Sequence, residues 1–167
     1  AQIIPSFRPI AADCQIEFRL ATKDPNGNCT NGIEHIQTLK TYSANDQSKL
    51  HPWPNNKYLN IWVANSLENP SAAAYAYYPG VGSAIDGIMC WYTYVDNSSR
   101  TLTHEAGHCF NLKHTWGDSN SPQVTCGDDL VSDTPITQGW SPGNCNLSGS
   151  ICNPPIIENV QNYMDYS

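Results

Sequence analysis

Three histidines near residue 110 restrict how that part of the chain can fold. The segment His104–His108 has the sequence His-Glu-Ala-Gly-His, and His114 follows six residues later. In an α-helix, side chains four residues apart leave the same face about 6 Å apart, so two imidazoles with this spacing can reach one ion. His114 can join them only if the chain reverses sharply after the helix. Asn111 lies where a left-handed residue is needed, and asparagine is the best substitute for glycine there.

These residue types predict a zinc site with one open coordination position. His104, His108 and His114 would supply three nitrogen ligands at about 2.0–2.1 Å, which leaves a tetrahedral position open. Glu105 lies about 100° around the helix from His104, so its carboxylate can act as a general base on water without binding the ion. The alternative is that these histidines only pack or face solvent. It is the weaker interpretation, because only about one chain in ten thousand of this composition would contain the pattern by chance.

Periodic apolar residues before this segment predict strands, and the segment itself predicts a helix. The expected strands are Ile16–Leu20, a weaker Ile33–Leu39, Tyr58–Val63 and Gly87–Val95. The helix should cover about Arg100–Phe110, with Ser98 or Ser99 as its N-cap. Turn-forming residues and cysteines dominate from Gly117 to Pro155, which predicts irregular structure. Strands followed by one helix and then irregular chain indicate an α+β fold.

Composition indicates a secreted protein. Seven cysteines in 167 residues are typical of an oxidising compartment and predict at least two disulfides, although reduced, buried thiols are the alternative. A formal charge of −7 argues against nucleic acid or an anionic membrane as a partner and is compatible with cation binding. No apolar stretch approaches the roughly 18 residues of a membrane-spanning helix, so no membrane insertion is expected.

Several motifs in the chain resemble one family of peptidases. His104–His114 is similar to the extended zinc motif of the metzincins, with Asn111 at the usual glycine position, and Asn162–Ser167 resembles their Met-turn. Gly127–Pro135 and the cysteines around it resemble the pappalysin family in particular. The resemblance implies a metzincin-like fold with a mixed, mostly parallel twisted sheet, an active-site helix and an irregular C-terminal lobe pinned by disulfides.

The resemblance also implies a domain organisation. Residues 1–167 would form a single metallopeptidase catalytic domain, with an N-terminal lobe of about residues 1–114 and a C-terminal lobe of about residues 115–167. The first strand and long first helix of the family are expected before this segment. The chain is therefore interpreted as a truncated or nicked core of such a domain.

Site roles follow from the same resemblance. His104, His108 and His114 would bind zinc, and Glu105 would be the catalytic base. Tyr166 would approach the metal and donate a hydrogen bond to the oxyanion, and Met164 would lie in a tight turn beneath the metal. The implied calcium ligands are Asp129, the Val131 carbonyl and Thr134, although ordinary Asx turns are the alternative for these residues.

Cysteine pairing is only partly implied. The resemblance pairs Cys126 with Cys152, and it places the partner of Cys145 just past the Met-turn, beyond Ser167. Cys14 and Cys29 flank a strand and turn expected from the sequence and could pair with each other. Cys90 and Cys109 are interpreted as buried thiols, and their pairing stays open.

The expected function is zinc-dependent hydrolysis of internal peptide bonds, with Glu105 accepting a proton from water. Proteins or peptides would be the substrates, a pro-segment or inhibitor a further partner, and the acidic balance favours basic residues at the cleavage site. Gly87–Val95 is either the cleft edge, where an extended substrate adds as a strand, or a core strand. The alternatives are a non-catalytic, metal-stabilised extracellular binding module, which would have no use for Glu105, and hydrolysis of another amide.

Overall fold

The computed structural model describes residues 3–96 and 98–167 and divides the chain into two compact units. Ile16–Asn111 form one, named here the sheet unit, and Ala1–Gln15 with Leu112–Ser167 form the other, named the loop unit. The observed division after Asn111 is three residues before the lobe boundary expected after residue 114. The N-terminal residues group with the C-terminal part of the chain, which the sequence did not indicate.

The sheet unit contains a three-stranded mixed sheet in the order β1-β3-β2. The strands are β1 at Ile61–Ala64, β2 at Ala74–Tyr75 and β3 at Ile88–Trp91. β1 runs parallel to β3 over four residue pairs, and β2 runs antiparallel to β3 over two. A mixed sheet with one helix confirms the α+β class.

The central strand β3 is apolar because both of its faces are covered. Ile88 and Cys90 pack with Ala106 of the helix, whereas Met89 packs on the opposite face with a cluster that includes Leu67. A strand buried on both faces has a continuous apolar sequence. The interpretation of Gly87–Val95 as a cleft edge is therefore wrong, because this segment supplies the central strand.

The helix α1 covers Thr101–Cys109, as predicted within one residue at each end. Its N-cap is Arg100 and not Ser98 or Ser99, although the Ser99 hydroxyl accepts a hydrogen bond from the Thr101 amide at 3.2 Å. The helix ends where the Asn111 amide donates to the His108 carbonyl at 2.9 Å. Asn111 has a φ of +69°, the left-handed conformation that the reversal requires.

Two predicted strands are wrong, and a third is shifted. Ile16–Leu20 and Ile33–Leu39 have no strand assignment, and the second segment runs into a 3₁₀ turn at Leu39–Thr41. Phe18 is 59% exposed, and Ile16 and Leu20 are exposed to a similar degree. Alternation produces a strand only where a neighbouring strand offers backbone partners. The Tyr58–Val63 strand begins at Ile61 and ends at Ala64, and the Asn60 side chain just before it bonds the Trp53 backbone.

The loop unit is irregular, as predicted. Its described residues contain a 3₁₀ turn at Pro5–Phe7 and no α-helix or strand. Ile4, Phe7, Trp140 and Val160 form its apolar core. None of the helices that the structure describes is both long enough and apolar enough to cross a membrane.

One disulfide joins Cys126 to Cys152 in the loop unit. The remaining described cysteines are free thiols, so the expectation of at least two disulfides is wrong for the described chain. Cys90 is buried in β3 and behaves as a small apolar residue. The exposed free thiols are Cys14, Cys29 and Cys145, and Cys109 is half-buried.

Candidate metal centre

The three histidines of the 104–114 segment converge. One ligand atom from each of His104, His108 and His114 lies within 4.8 Å of the other two, and all three side chains are buried. The Nε2 atoms of His104 and His108 are 3.2 Å apart. Two ligands of one tetrahedral zinc ion, each at 2.0–2.1 Å, are about 3.3 Å apart, so this spacing fits a shared metal ion. In the described chain, this is the only such group of three or more histidine, cysteine or carboxylate side chains.

The helix and the turn after it produce this arrangement. His104 and His108 lie one turn apart on α1, with ring centroids 4.8 Å apart and nearly perpendicular planes. The edge of the Tyr78 ring packs against His108 at a centroid distance of 5.5 Å. The left-handed Asn111 then reverses the chain, which brings the third histidine back after only six residues.

The orientation of His114 is set by its own neighbours. Its Nδ1 lies 3.1 Å from the Ser119 carbonyl, and its ring stacks on Trp116 with centroids 4.6 Å apart. The Trp116 indole N–H donates to the same carbonyl at 2.7 Å. When Nδ1 carries the proton and donates to Ser119, Nε2 is the nitrogen that can coordinate a metal. Ser119 acts through its backbone, so its side chain gave no sequence signal.

Glu105 lies in the helix beside these ligands but does not belong to the three-histidine group. Its side chain is 7% exposed, and burial raises its pKa to about 7, while a hydrogen bond from the Ala76 amide opposes that rise. A carboxyl with a pKa near neutrality can both accept and return a proton at physiological pH. Glu105 thus lies outside the ligand group, and its expected role as the general base stays a prediction.

The C-terminal residues expected to form a Met-turn do form a tight turn. The Asp165 amide donates to the Asn162 carbonyl at 3.0 Å, and the Met164 amide donates to the Asn162 side chain at 2.9 Å. Met164 is 4% exposed, and its carbonyl accepts a hydrogen bond from the Thr115 amide at 3.3 Å. The turn is thus attached to the residue that directly follows the third histidine.

Tyr166 packs against the third histidine. Its ring lies edge-on to His114 with centroids 5.0 Å apart, and edge-on to Trp116 at 4.9 Å. Such edge-to-face contacts stabilise the relative placement of aromatic rings. The phenol is half-buried, and the expected role of Tyr166 near the metal stays a prediction.

Asp165 connects the C-terminal turn to Thr115 and Trp140, a role that the sequence did not reveal. Its Oδ2 accepts from the Thr115 hydroxyl at 3.0 Å, and its Oδ1 accepts from the Trp140 and Ser167 amides at 3.2 and 3.0 Å. Burial raises the pKa of this carboxyl above its ordinary value, although the hydrogen bonds oppose the rise. Since its partners are 25 and 50 residues away in sequence, only the fold reveals this role.

The residues expected to bind calcium bond with one another instead. Asp129 Oδ1 accepts from the Val131 amide at 3.0 Å, which is an Asx turn, and the Thr134 side chain also bonds the Asp129 carboxylate. The Val131 carbonyl accepts from the Thr134 amide at 3.0 Å. These contacts satisfy the candidate ligand atoms without a cation, so nothing in this geometry supports calcium, and calcium binding stays a prediction.

Comparison with known proteins identifies the family. The family model described as pregnancy-associated plasma protein-A, a peptidase family, matches residues 42–167, a range that includes the histidine cluster and the Met-turn. The chain belongs to this family. The pappalysin resemblance inferred from the zinc motif and the Met-turn is thereby confirmed.

The chain matches its relatives over part of their own length. An extracellular metalloprotease of Trichophyton verrucosum is 28% identical over an alignment 167 positions long, which covers 91% of this chain and 56% of that relative. Mature mirolysin of Tannerella forsythia, solved with a cleaved peptide, is 32% identical with a TM-score of 0.78, over 97% of this chain and 67% of that structure. A promirolysin mutant from the same organism is 31% identical with a TM-score of 0.75, over 97% and 59%. The pappalysin chain thus spans little more than half of that curated relative.

Proposed function

We propose that the chain is the catalytic domain of a secreted, zinc-dependent endopeptidase. The observation that carries this proposal is the convergence of three buried histidine ligand atoms within 4.8 Å, with Glu105 adjacent and outside the ligand group. Membership of a peptidase family and the extracellular metalloprotease name of the Trichophyton relative support it. The proposed domain comprises residues 1–167, with an N-terminal lobe of about residues 1–114 and a C-terminal lobe of about residues 115–167.

In the proposed mechanism, His104, His108 and His114 hold the metal. A bound zinc ion would supply Lewis-acid polarisation of the scissile carbonyl and would lower the pKa of water at the site. Glu105 accepts the proton of the attacking water on a carboxylate oxygen and later delivers that proton to the departing amine. The pKa of about 7 that burial gives Glu105 suits both transfers.

Residues of the C-terminal turn would complete the site. Tyr166 would donate a hydrogen bond from its phenol to the oxyanion that develops on the scissile carbonyl, which is support of the kind that oxyanion holes give. Met164, which is buried in the turn attached to Thr115, would provide an apolar floor for the imidazoles. Asp165 would keep that turn in place through the Thr115 hydroxyl.

Substrate binding is proposed at the edge strand β2. Ala74–Tyr75 lies at one side of the sheet order and runs antiparallel to β3, so an extended peptide could add to its outer edge by backbone hydrogen bonds. Peptide substrates are supported by the cleaved peptide in the mirolysin structure, and a pro-segment by the promirolysin structure. A preference for basic residues is supported only by the charge of −7, and cleavage of a peptide library would test it.

The decisive test compares Glu105→Gln with the wild-type protein. The variant keeps a side chain of the same size but cannot take up a proton, so peptide cleavage should fall by at least about a thousandfold while one zinc ion per chain stays bound. A matched control is Glu34→Gln, at an exposed carboxylate of the sheet unit that bonds His51, which should cleave normally. Zinc binding without cleavage by the wild-type chain would favour the non-catalytic binding module, and normal cleavage by Glu105→Gln would overturn the mechanism. Calcium measured on the same samples tests the Asp129 site.

A further inference from the structure

The sheet unit contains a buried lysine that the proposed mechanism does not use. The Lys49 side chain is fully buried, and its Nζ donates to the Ile85 carbonyl at 2.7 Å and lies 3.3 Å from Asp46 Oδ1. The ammonium also lies over two tyrosine rings, at 4.7 Å from the centroid of Tyr75 and 4.9 Å from that of Tyr77. Burial of an ammonium is costly unless it is paired, and here both an anion and aromatic faces compensate it.

The partner carboxylate binds the same two tyrosines. Asp46 Oδ1 accepts from the Tyr75 hydroxyl at 3.0 Å, and Asp46 Oδ2 accepts from the Tyr77 hydroxyl at 2.6 Å. Hydrogen bonds to an ionised carboxylate are roughly twice as strong as neutral ones. The Lys49–Asp46 pair therefore fixes two alternate residues of one extended segment from a single point.

The residues between and after those tyrosines contact the proposed catalytic machinery. Ala76 packs with the cluster that contains Ala106, the residue after Glu105, and its backbone opposes the rise in the pKa of the Glu105 carboxyl. The Tyr78 and His108 rings make a T-shaped contact with centroids 5.5 Å apart. In an extended chain, successive side chains point to opposite sides. Accordingly, Ala76 packs in the apolar cluster that includes Ala106 of α1, opposite to the side on which Tyr75 and Tyr77 meet the ion pair.

We propose that the Lys49–Asp46 pair is a positioning device for the general base. By holding Tyr75 and Tyr77, the pair fixes the segment 75–78. The Ala76 backbone then keeps its contact with Glu105, and the Tyr78 ring keeps its contact with His108. Lys49 and Asp46 are positioning residues, since they act through this segment and touch no reacting atom. The inference rests on the proposed peptidase function. A buried ion pair contributes little net stability compared with apolar residues, which agrees with a role in placement.

The test removes the two hydroxyls and leaves the rings in place. In the Tyr75→Phe/Tyr77→Phe variant, kcat per bound zinc ion should fall about tenfold because the base is misplaced. KM for a peptide should change less than kcat, because the backbone pairing of Ala74 and Tyr75 with β3 does not involve the deleted hydroxyls. The matched control is Tyr58→Phe, which deletes a tyrosine hydroxyl bonded to the Lys23 carbonyl at 3.1 Å elsewhere in the sheet unit. The control should retain wild-type kcat.

A second measurement is independent of activity. Amide hydrogen exchange in the zinc-free protein should be about tenfold faster for the 75–78 segment in the double variant, and unchanged in Tyr58→Phe. Asp46→Ala should reproduce both the lower kcat per zinc and the faster exchange, and combining it with the double variant should cause no further loss. Asp46→Asn should keep part of kcat, because its side chain retains one oxygen acceptor. A merely structural role would lower zinc content and kcat together and would leave kcat per zinc unchanged.

The two proposals fail in different ways. If the zinc-loaded wild type cleaves no peptide, the proposed function is wrong, and the exchange measurement still decides whether Lys49 and Asp46 fix the segment. If the wild type cleaves and the double variant keeps both wild-type kcat per zinc and wild-type exchange, the positioning role is overturned. Should the double variant unfold, the single variant Tyr77→Phe decides the matter, because that half-buried ring can lose its hydroxyl with less disturbance.

Discussion

The two units bury charge by different means. In the sheet unit, the Lys49 ammonium is matched by the Asp46 carboxylate and by aromatic faces. In the loop unit, Glu158 is 1% exposed and is satisfied by four neutral donors at 2.8–3.0 Å, which are the Thr137 hydroxyl, the Trp140 indole and the Ile151 and Cys152 amides. One unit thus pairs opposite charges, and the other surrounds a single charge with hydrogen-bond donors.

The difference reflects the secondary structure of the units. In the sheet unit, the strands and α1 pair backbone groups among themselves, and the buried Lys49 ammonium is balanced by Asp46 as well as by the Ile85 carbonyl. The loop unit has few regular elements in its described residues, and its buried amides need acceptors from side chains. Glu158 and Asp165 supply them. We therefore expect the buried carboxylates to stabilise the loop unit. In the sheet unit, we expect the ion pair mainly to position the 75–78 segment.

The largest expected effect is the loss of Glu158. Glu158→Ala leaves four donors without their acceptor, and the free energy of unfolding should fall by about 4 kcal/mol. Glu158→Gln keeps one oxygen acceptor and should cost about half as much. Urea unfolding followed by tryptophan fluorescence measures both. If Glu158→Ala costs less than about 1 kcal/mol, the carboxylate does not organise the loop unit.

The disulfide should have the next largest effect. Cys126 and Cys152 are 26 residues apart, and closing a loop of that length stabilises the folded chain by roughly 3 kcal/mol through the entropy of the unfolded state. The Cys126→Ser/Cys152→Ser variant should lose about that amount of stability in the same urea experiment. Replacing the exposed Cys14 by serine is the control and should change little. Equal losses in the two variants would contradict the assignment of the disulfide to loop-unit stability.

The ion pair of the sheet unit should matter less for stability. Lys49→Met keeps most of the buried volume, and Asp46, whose side chain is 34% exposed, keeps its two tyrosine donors. The free energy of unfolding should therefore fall by only about 1 kcal/mol. The comparison between the units breaks if Lys49→Met costs more than Glu158→Ala.

How much the sequence could predict depends on the range of the interactions. The helix, the metal ligands and the left-handed Asn111 follow from spacings of four and six residues, so the local sequence is enough to indicate them. Ile16–Leu20 has equally clear alternation but no strand, because pairing depends on a distant neighbour that a local pattern does not contain. The same limit applies to β3, whose apolar sequence did not reveal whether it lies at the centre or the edge of the sheet.

Site residues that act over long range carry no local signal for the same reason. Asp165 is attached to Thr115 across 50 residues, and Lys49 reaches the Ile85 carbonyl across 36. Ala76 and Ser119 contribute backbone groups, which any residue type could supply. The sequence therefore predicts which side chains perform the chemistry and not which residues hold them in position.

The smallest expected effect is a pH dependence of the free energy of unfolding that comes from Asp165. It tests how the neutral donors of the loop unit stabilise a buried carboxyl group. Because burial raises the pKa of Asp165, the folded state holds its proton more tightly than the unfolded chain does. Its contribution to stability is full below the unfolded pKa and is lost as pH rises through the folded one. Asp165→Asn keeps an oxygen acceptor and cannot ionise, so its stability relative to the wild type should improve between about pH 4 and about pH 7. Urea unfolding at both pH values tests this, and a relative stability that falls over that range would contradict it.

Three imidazoles are proposed to share one metal ion. X-ray absorption at the zinc edge of the zinc-loaded wild-type chain tests it most directly. We expect one zinc ion per chain with three imidazole nitrogens at about 2.0–2.1 Å and one oxygen ligand. A sulfur ligand, a fourth imidazole or less than one zinc ion per chain would contradict it.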